Sequence, residues 1–286
     1  MSGWALTLIL AAAVTHATWN FLNKQASGHA TFTWVVAVLS ALLYAPVTIT
    51  VIEVWQIEIG VVTVGIMAGS AALHTAYFLL LNQGYRVGDL SLVYPLARGT
   101  GPLLSSIAAI LFLGERPSLI ALGGALLIIG GAIILTTNLS QLRQTGARDA
   151  VIYALITGLF IAAYTIWDKQ AVSHFAIAPL VLDWGANVGR ALFLTPFALK
   201  YPDQTINEWR QHKYEAIGCA VLIPLAYILV LTAMQFTPVS YVAPAREISI
   251  LVGTAMGARL LGEGDAHRRL AGASAMVLGV IGLAVG

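Results

Sequence analysis

Ten stretches of about twenty residues, each nearly free of charge, divide this sequence: 3–22, 31–52, 60–84, 90–113, 118–137, 150–168, 176–199, 215–235, 238–261 and 267–286. A helix needs about 20 apolar residues to cross a hydrocarbon core of roughly 30 Å. Hydrocarbon offers backbone amides no water, so a run of this length has to satisfy its own hydrogen bonds, and it does so as a helix. Short polar breaks such as Arg86–Asp89, Gly114–Pro117 and Tyr201–Lys213 separate the stretches. The expected fold is therefore an all-α integral membrane protein with ten transmembrane helices.

Composition closes off the other reading of a 286-residue chain, one or two soluble domains. Hydrophobic residues make up 58% and charged residues 10%, against about 25% charged in soluble domains. A net charge of +2 gives no footing for nucleic acid. The single Cys219 excludes an intrachain disulfide and any multi-cysteine metal site, so no metal or cofactor is expected. Leu6–Val14 has the length of a signal-peptide core, but no basic segment precedes it and Thr15–Lys24 is unlike a cleavage site. Residues 3–22 are expected to remain as the first helix.

Of the 15 Lys and Arg, Arg98, Arg190 and Arg246 fall inside spans, and Arg116 and Lys169 fall by the even-numbered turns. The remaining ten flank the odd-numbered turns. The positive-inside rule reads that skew as both termini outside.

The two halves of the chain match in order. Asn23-Lys24-Gln25-Ala26 returns as Asp168-Lys169-Gln170-Ala171, and Trp34 and Pro46 are spaced like Trp184 and Pro196. Ala76-Tyr77 returns as Ala226-Tyr227, Ala97-Arg98 as Ala245-Arg246, and Leu113-Gly114-Glu115 as Leu261-Gly262-Glu263. Gly123 and Gly130 are paired with Gly272 and Gly279. The expected units are 1–138 and 149–286. Five spans per half turn the second half over, which makes the repeats inverted, an architecture typical of secondary transporters.

With its Leu-Gly-Glu-Arg-Pro end to the fourth span (Leu113–Pro117) and a glycine-rich fifth span, the chain resembles the EamA family of the drug/metabolite transporter superfamily. The resemblance runs over both repeats, although Gly262-Glu263-Gly264-Asp265 lacks the basic residue after Glu. It implies a secondary carrier in the cell membrane, often an exporter of amino acids or other metabolites. It also implies both termini in the cytoplasm, opposite to the charge count.

The embedded arginines carry the sharpest expectation about a site. Arg98 and Arg246 are repeat equivalents, each about eight residues, or roughly 12 Å, into its span. A charge at that depth costs about 2.5–3.5 kcal/mol and normally faces a partner or a wet cavity. Two guanidiniums facing one cavity would grip a carboxylate or phosphate; the plainer alternative is a structural pairing with Glu247. Ser91, Pro95, Arg98, Pro102 and Ser105 share one helical face. Trp19, Asn20, Tyr77, Trp184 and Tyr227 complete the expected substrate-binding set. Glu247, His16, His74 and Asp183 are the titratable candidates for ion coupling; the alternative for the first three is a structural role, and for Asp183 a solvated place near the start of its span. Glu115 and Glu263 are read as structural or gating residues.

No HExxH, GxSxG or paired-aspartate motif is present, so an intramembrane enzyme is not expected. No long loop or tail marks a receptor or assembly factor. The expected function is secondary transport, in the efflux direction, of a small carboxylate- or phosphate-bearing metabolite; the competing class is a hydrophobic-cation drug carrier. The expected partners are the lipid bilayer and a small solute, with the chain a monomer or homodimer.

Overall fold

A computed structural model describes residues 1–26, 30–87, 90–136, 147–252 and 266–286. Ten helices are described: α1 (Gly3–Gln25), α2 (Ala30–Val54), α3 (Val61–Val87), α4 (Leu90–Phe112), α5 (Leu119–Thr136), α6 (Ala147–Ser173), α7 (Pro179–Lys200), α8 (Pro202–Phe236), α9 (Val239–Ala245) and α10 (Ala266–Val285). No strand forms among the described residues. Outward-facing apolar side chains, such as Leu42, Val61, Phe112, Leu119, Leu192 and Leu278, stay exposed, as lipid-facing positions should.

Two expected boundaries are corrected. The polar break Tyr201–Lys213 is helical from Pro202 onward: Pro202 opens α8, and only His212, at φ −125° and ψ 30°, interrupts it. Proline suits a first helical turn because its missing N–H has no partner there in any case. The ninth span is not one continuous helix. α9 stops at Ala245, Arg246 and Glu247 form a turn, and helix resumes from Ile248 to Val252. Pro244 lies in that stretch, and the bonds past it tighten to a three-residue spacing: Glu247 N–H to Pro244 O at 3.0 Å and Ile250 N–H to Glu247 O at 2.9 Å. By contrast, α4 runs without a break through Pro95 and Pro102.

Helix neighbours follow the repeat. Equivalent helices meet in the pairs α2–α7, α4–α9 and α5–α10, while α1–α8 is matched by α3–α6 and α2–α8 by α3–α7. The match reaches single residues. A Cβ on Gly69 in α3 would fall 2.5 Å from Trp167 in α6, and one on Gly218 in α8 would fall 2.6 Å from Leu22 in α1. Trp34 donates to Thr195 Oγ1 across α2–α7 at 3.0 Å, and its equivalent Trp184 donates back to Ala41 O at 2.9 Å.

The α5–α10 seam corrects one repeat pairing. A Cβ on Gly124 would meet Gly279 O, and one on Gly131 would meet Gly272 O, both at 2.6 Å. Gly123 and Gly130 have open space instead. The residues equivalent to Gly272 and Gly279 are thus one position further along α5 than the expected pair.

Candidate functional site

Between the repeats, polar side chains from five helices converge. α6 contributes Asp168, fully buried. Its Oδ2 accepts from Tyr227 of α8 and lies 3.0 Å from Nε2 of His74 in α3. An ionised carboxylate only accepts, so Nε2 is the donor when Asp168 carries its charge. Tyr164, one helical turn before Asp168, stacks on the His74 ring at 4.0 Å, and Tyr77 meets Tyr164 edge-on at 5.6 Å. Tyr227 meets His74 edge-on at 5.1 Å. The four rings and the carboxylate form one aromatic box with an acid in its wall.

Arg246 reaches this box from the interruption in α9. Its guanidinium sits 5.6 Å from the Tyr227 ring centre, a cation–π distance. Among the described residues no carboxylate pairs with it. The break in α9 is what brings it here, since a discontinuous helix lets backbone and side chain turn toward an internal site.

Arg98 is held in an ion pair across the repeats. Its Nε lies 3.2 Å from Glu247 Oε2, and its Nη2 reaches Ser249 Oγ at 3.4 Å. The pair links α4 of one repeat to the α9 segment of the other, and both side chains are buried. Sequence adjacency had put Glu247 beside Arg246, whereas the ion pair it makes is with Arg98 across the repeats.

The remaining expected residues fall in three places. In α7, Asn187 Nδ2 donates to Asp183 Oδ2 at 2.9 Å, and Arg190 donates to Asn187 Oδ1 at 3.2 Å, so the amide bridges acid and base. In α1, Asn20 donates to His16 O at 2.8 Å and lies 2.8 Å from His16 Nδ1, with Trp19 edge-on to the His16 ring at 4.8 Å. His16 is within the electrostatic reach of both Arg98 and Arg246, and Arg190 within that of Tyr77, Tyr164 and Tyr227. Trp184 stands apart, spent on the α2–α7 contact. Ser91 and Pro95 have no described side chains, and Glu263 lies outside the described residues.

Asp168 is the residue that sequence reasoning passed over. The signal was there: the second repeat places an acid where the first has the amide of Asn23.

A second group of contacts lies where the ends of α4 and α8 meet the start of α9. Gly114 takes φ +67°, a conformation glycine adopts without strain. Past it, Glu115 N–H turns back to Ala109 O. That places the Glu115 carboxylate on the start of α9, where it accepts from Val239 N–H at 2.7 Å, Ser240 N–H at 2.9 Å and Ser240 Oγ at 2.7 Å. Lys169 Nζ donates to Met234 O and Thr237 O at the end of α8. An acid on a helix start and a base on a helix end are the favourable placements against the helix dipole. Together they clasp the α8–α9 turn.

An apolar groove of about 680 Å³ is separate from these groups. It lies among α3, α4 and α6 and is apolar, with Ile107, Leu111, Phe112 and Leu159 exposed along it.

The sequence model of the family described as the EamA-like transporter family matches the chain twice, over residues 3–137 and 149–285. A solved structure titled only "Crystal structure of protein" superposes with a TM-score of 0.76 over 97% of each chain, at 12% identity. At that identity the likeness is one of fold. Among curated proteins there is no match.

Proposed function

The chain belongs to the EamA-like transporter family, and from that premise we propose that it is a secondary active carrier of a small carboxylate-bearing metabolite, working by alternating access in the cell membrane. The observation that carries this reading is Arg246: a guanidinium at a helix break, resting on Tyr227, with no carboxylate partner among the described residues. A planar, fork-shaped cation of this kind is matched to carboxylate or phosphate. Arg98, already held by Glu247, positions the broken helix, and Tyr77, Tyr164 and Trp19 supply apolar walls. Efflux is proposed from the exporters that the sequence resembles. Repeats 1–138 and 149–286 are the proposed rocking units, since α2–α7, α4–α9 and α5–α10 all join one unit to the other.

A binding screen in detergent tests this, using labelled amino acids, short carboxylates, phosphate esters and tetraphenylphosphonium as a hydrophobic cation. Arg246→Ala is expected to weaken a bound carboxylate by about ten- to a hundredfold, the loss of one charge-assisted contact of roughly 1.5–3 kcal/mol. Carboxylate binding that is equally tight in Arg246→Ala would remove this residue from the site.

A second reading rests on a different feature. Asp168 walled by Tyr164, Tyr227 and His74 also suits a hydrophobic cation. Tetraphenylphosphonium binding that depends on Asp168 and ignores Arg246 would favour it.

A further inference from the structure

Asp168 is half satisfied. Its Oδ2 takes both of its hydrogen bonds, from His74 and Tyr227, while Oδ1 is buried with no hydrogen-bond partner among the described residues. A buried carboxylate oxygen left without a partner is costly, and the cost is relieved when that oxygen is protonated.

The charges around it make the same point. Among the described residues, three acids, Asp168, Asp183 and Glu247, stand against three arginines, Arg98, Arg190 and Arg246, when the histidines are neutral. Glu247 is matched by Arg98, and Asp183 is joined to Arg190 through Asn187. That leaves Asp168 and Arg246, which touch opposite parts of one side chain: the Tyr227 hydroxyl donates to Asp168, and Arg246 lies over the ring. The cluster is balanced as it stands. A carboxylate arriving at Arg246 adds one negative charge to a buried site, and burying unmatched charge is expensive.

We infer that Asp168 is the proton-binding site of this carrier, taking up one proton on Oδ1 when a carboxylate occupies Arg246. The inference rests on the carboxylate reading above. In the step, a water-derived proton forms an O–H bond with Oδ1 and the carboxylate becomes a neutral acid; release to water on the other side breaks the same bond. His74 and Tyr227 keep their contacts with Oδ2 throughout. A proton on Asp168 and an anion on Arg246 each favour the other, so acid strengthens anion binding. Asp168 meets His74 from α3 and Tyr227 from α8, and Asp183 of α7 is within its electrostatic reach; Tyr164 of its own helix stacks on His74, Arg246 from the α9 break lies over Tyr227, and Arg190 of α7 acts, with Arg246, on His74. Arg98 of α4 is held in its pair with Glu247.

Infrared difference spectroscopy of the reconstituted protein reads this without a substrate. Lowering the pH should bring up a protonated-carboxyl C=O band that is absent in Asp168→Asn, displaced in Asp168→Glu, and kept in Glu247→Gln and Asp183→Asn. A band that is unchanged in both Asp168 variants overturns the inference. In proteoliposomes, Asp168→Asn should exchange labelled carboxylate at equal pH on both sides and lose accumulation driven by a pH gradient. Gradient-driven accumulation that survives in Asp168→Asn also overturns it. Wild type that exchanges no carboxylate, yet shows the Asp168-dependent band, defeats the carboxylate reading alone.

Discussion

Arg98 and Glu247 meet at 3.2 Å with both side chains buried, so taking away either one strands an ion in a place where water cannot reach it. Glu247→Leu is expected to cost about 3–5 kcal/mol, the usual penalty for breaking a buried pair. Adding Arg98→Met should restore part of that, because two apolar side chains have no charge to strand. Unfolding of the detergent-solubilised variants measures both. The position of the two arginines was legible in the sequence, since a charge in an apolar run stands out; their partners were not, because pairing is set by how helices cross. Asp168 was missed for a related reason. With the sixth span ended at residue 168, the acid is placed at the water boundary, where it needs no explanation. α6 in fact continues to Ser173, and the added turn carries Asp168 inside. Lys169 moved with it, from a loop cation to a donor for Met234 O and Thr237 O.

The elements were easier to read than their interruptions. Length and apolarity locate the core of each helix, because hydrocarbon leaves the backbone few options, but not its polar extensions: α8 starts at Pro202 and α6 runs on to Ser173. The break at Arg246–Glu247 depends on Pro244 acting in its tertiary setting: α4 carries Pro95 and Pro102 and stays continuous. What positions α9 is the Glu115 carboxylate on its first two amides. Glu115→Ala should loosen that end by about 1–2 kcal/mol, the typical worth of an N-cap. Hydrogen exchange at Val239 and Ser240 would then quicken by roughly five- to thirtyfold, at about tenfold per 1.4 kcal/mol. Unaltered exchange at both amides would mean that α9 is held by packing alone. The Leu-Gly-Glu motif at the end of the fourth span was visible in the sequence; that its acid serves the other repeat was not.

For the molecule as a whole, the repeat is the organising fact, and its clearest structural trace is the seam between α5 and α10. Gly131→Ala should destabilise by about 1–3 kcal/mol, as overpacking does, since its Cβ would meet Gly272 O at 2.6 Å. Gly130→Ala, beside it, has open space and should be neutral or stabilising by roughly 0.4–1 kcal/mol. Equal effects would mean that the seam is not a close contact. The halves were legible because they share a pattern of residues, and their pairing was legible in outline because an odd number of spans inverts the second. The central claim is that these halves carry a solute past Arg246. Counterflow in proteoliposomes tests it most directly: vesicles loaded with unlabelled carboxylate take up the labelled form through the protein. The account predicts saturable uptake by wild type that falls at least about tenfold in Arg246→Ala. Uptake that does not saturate, or that is undiminished in Arg246→Ala, would contradict it.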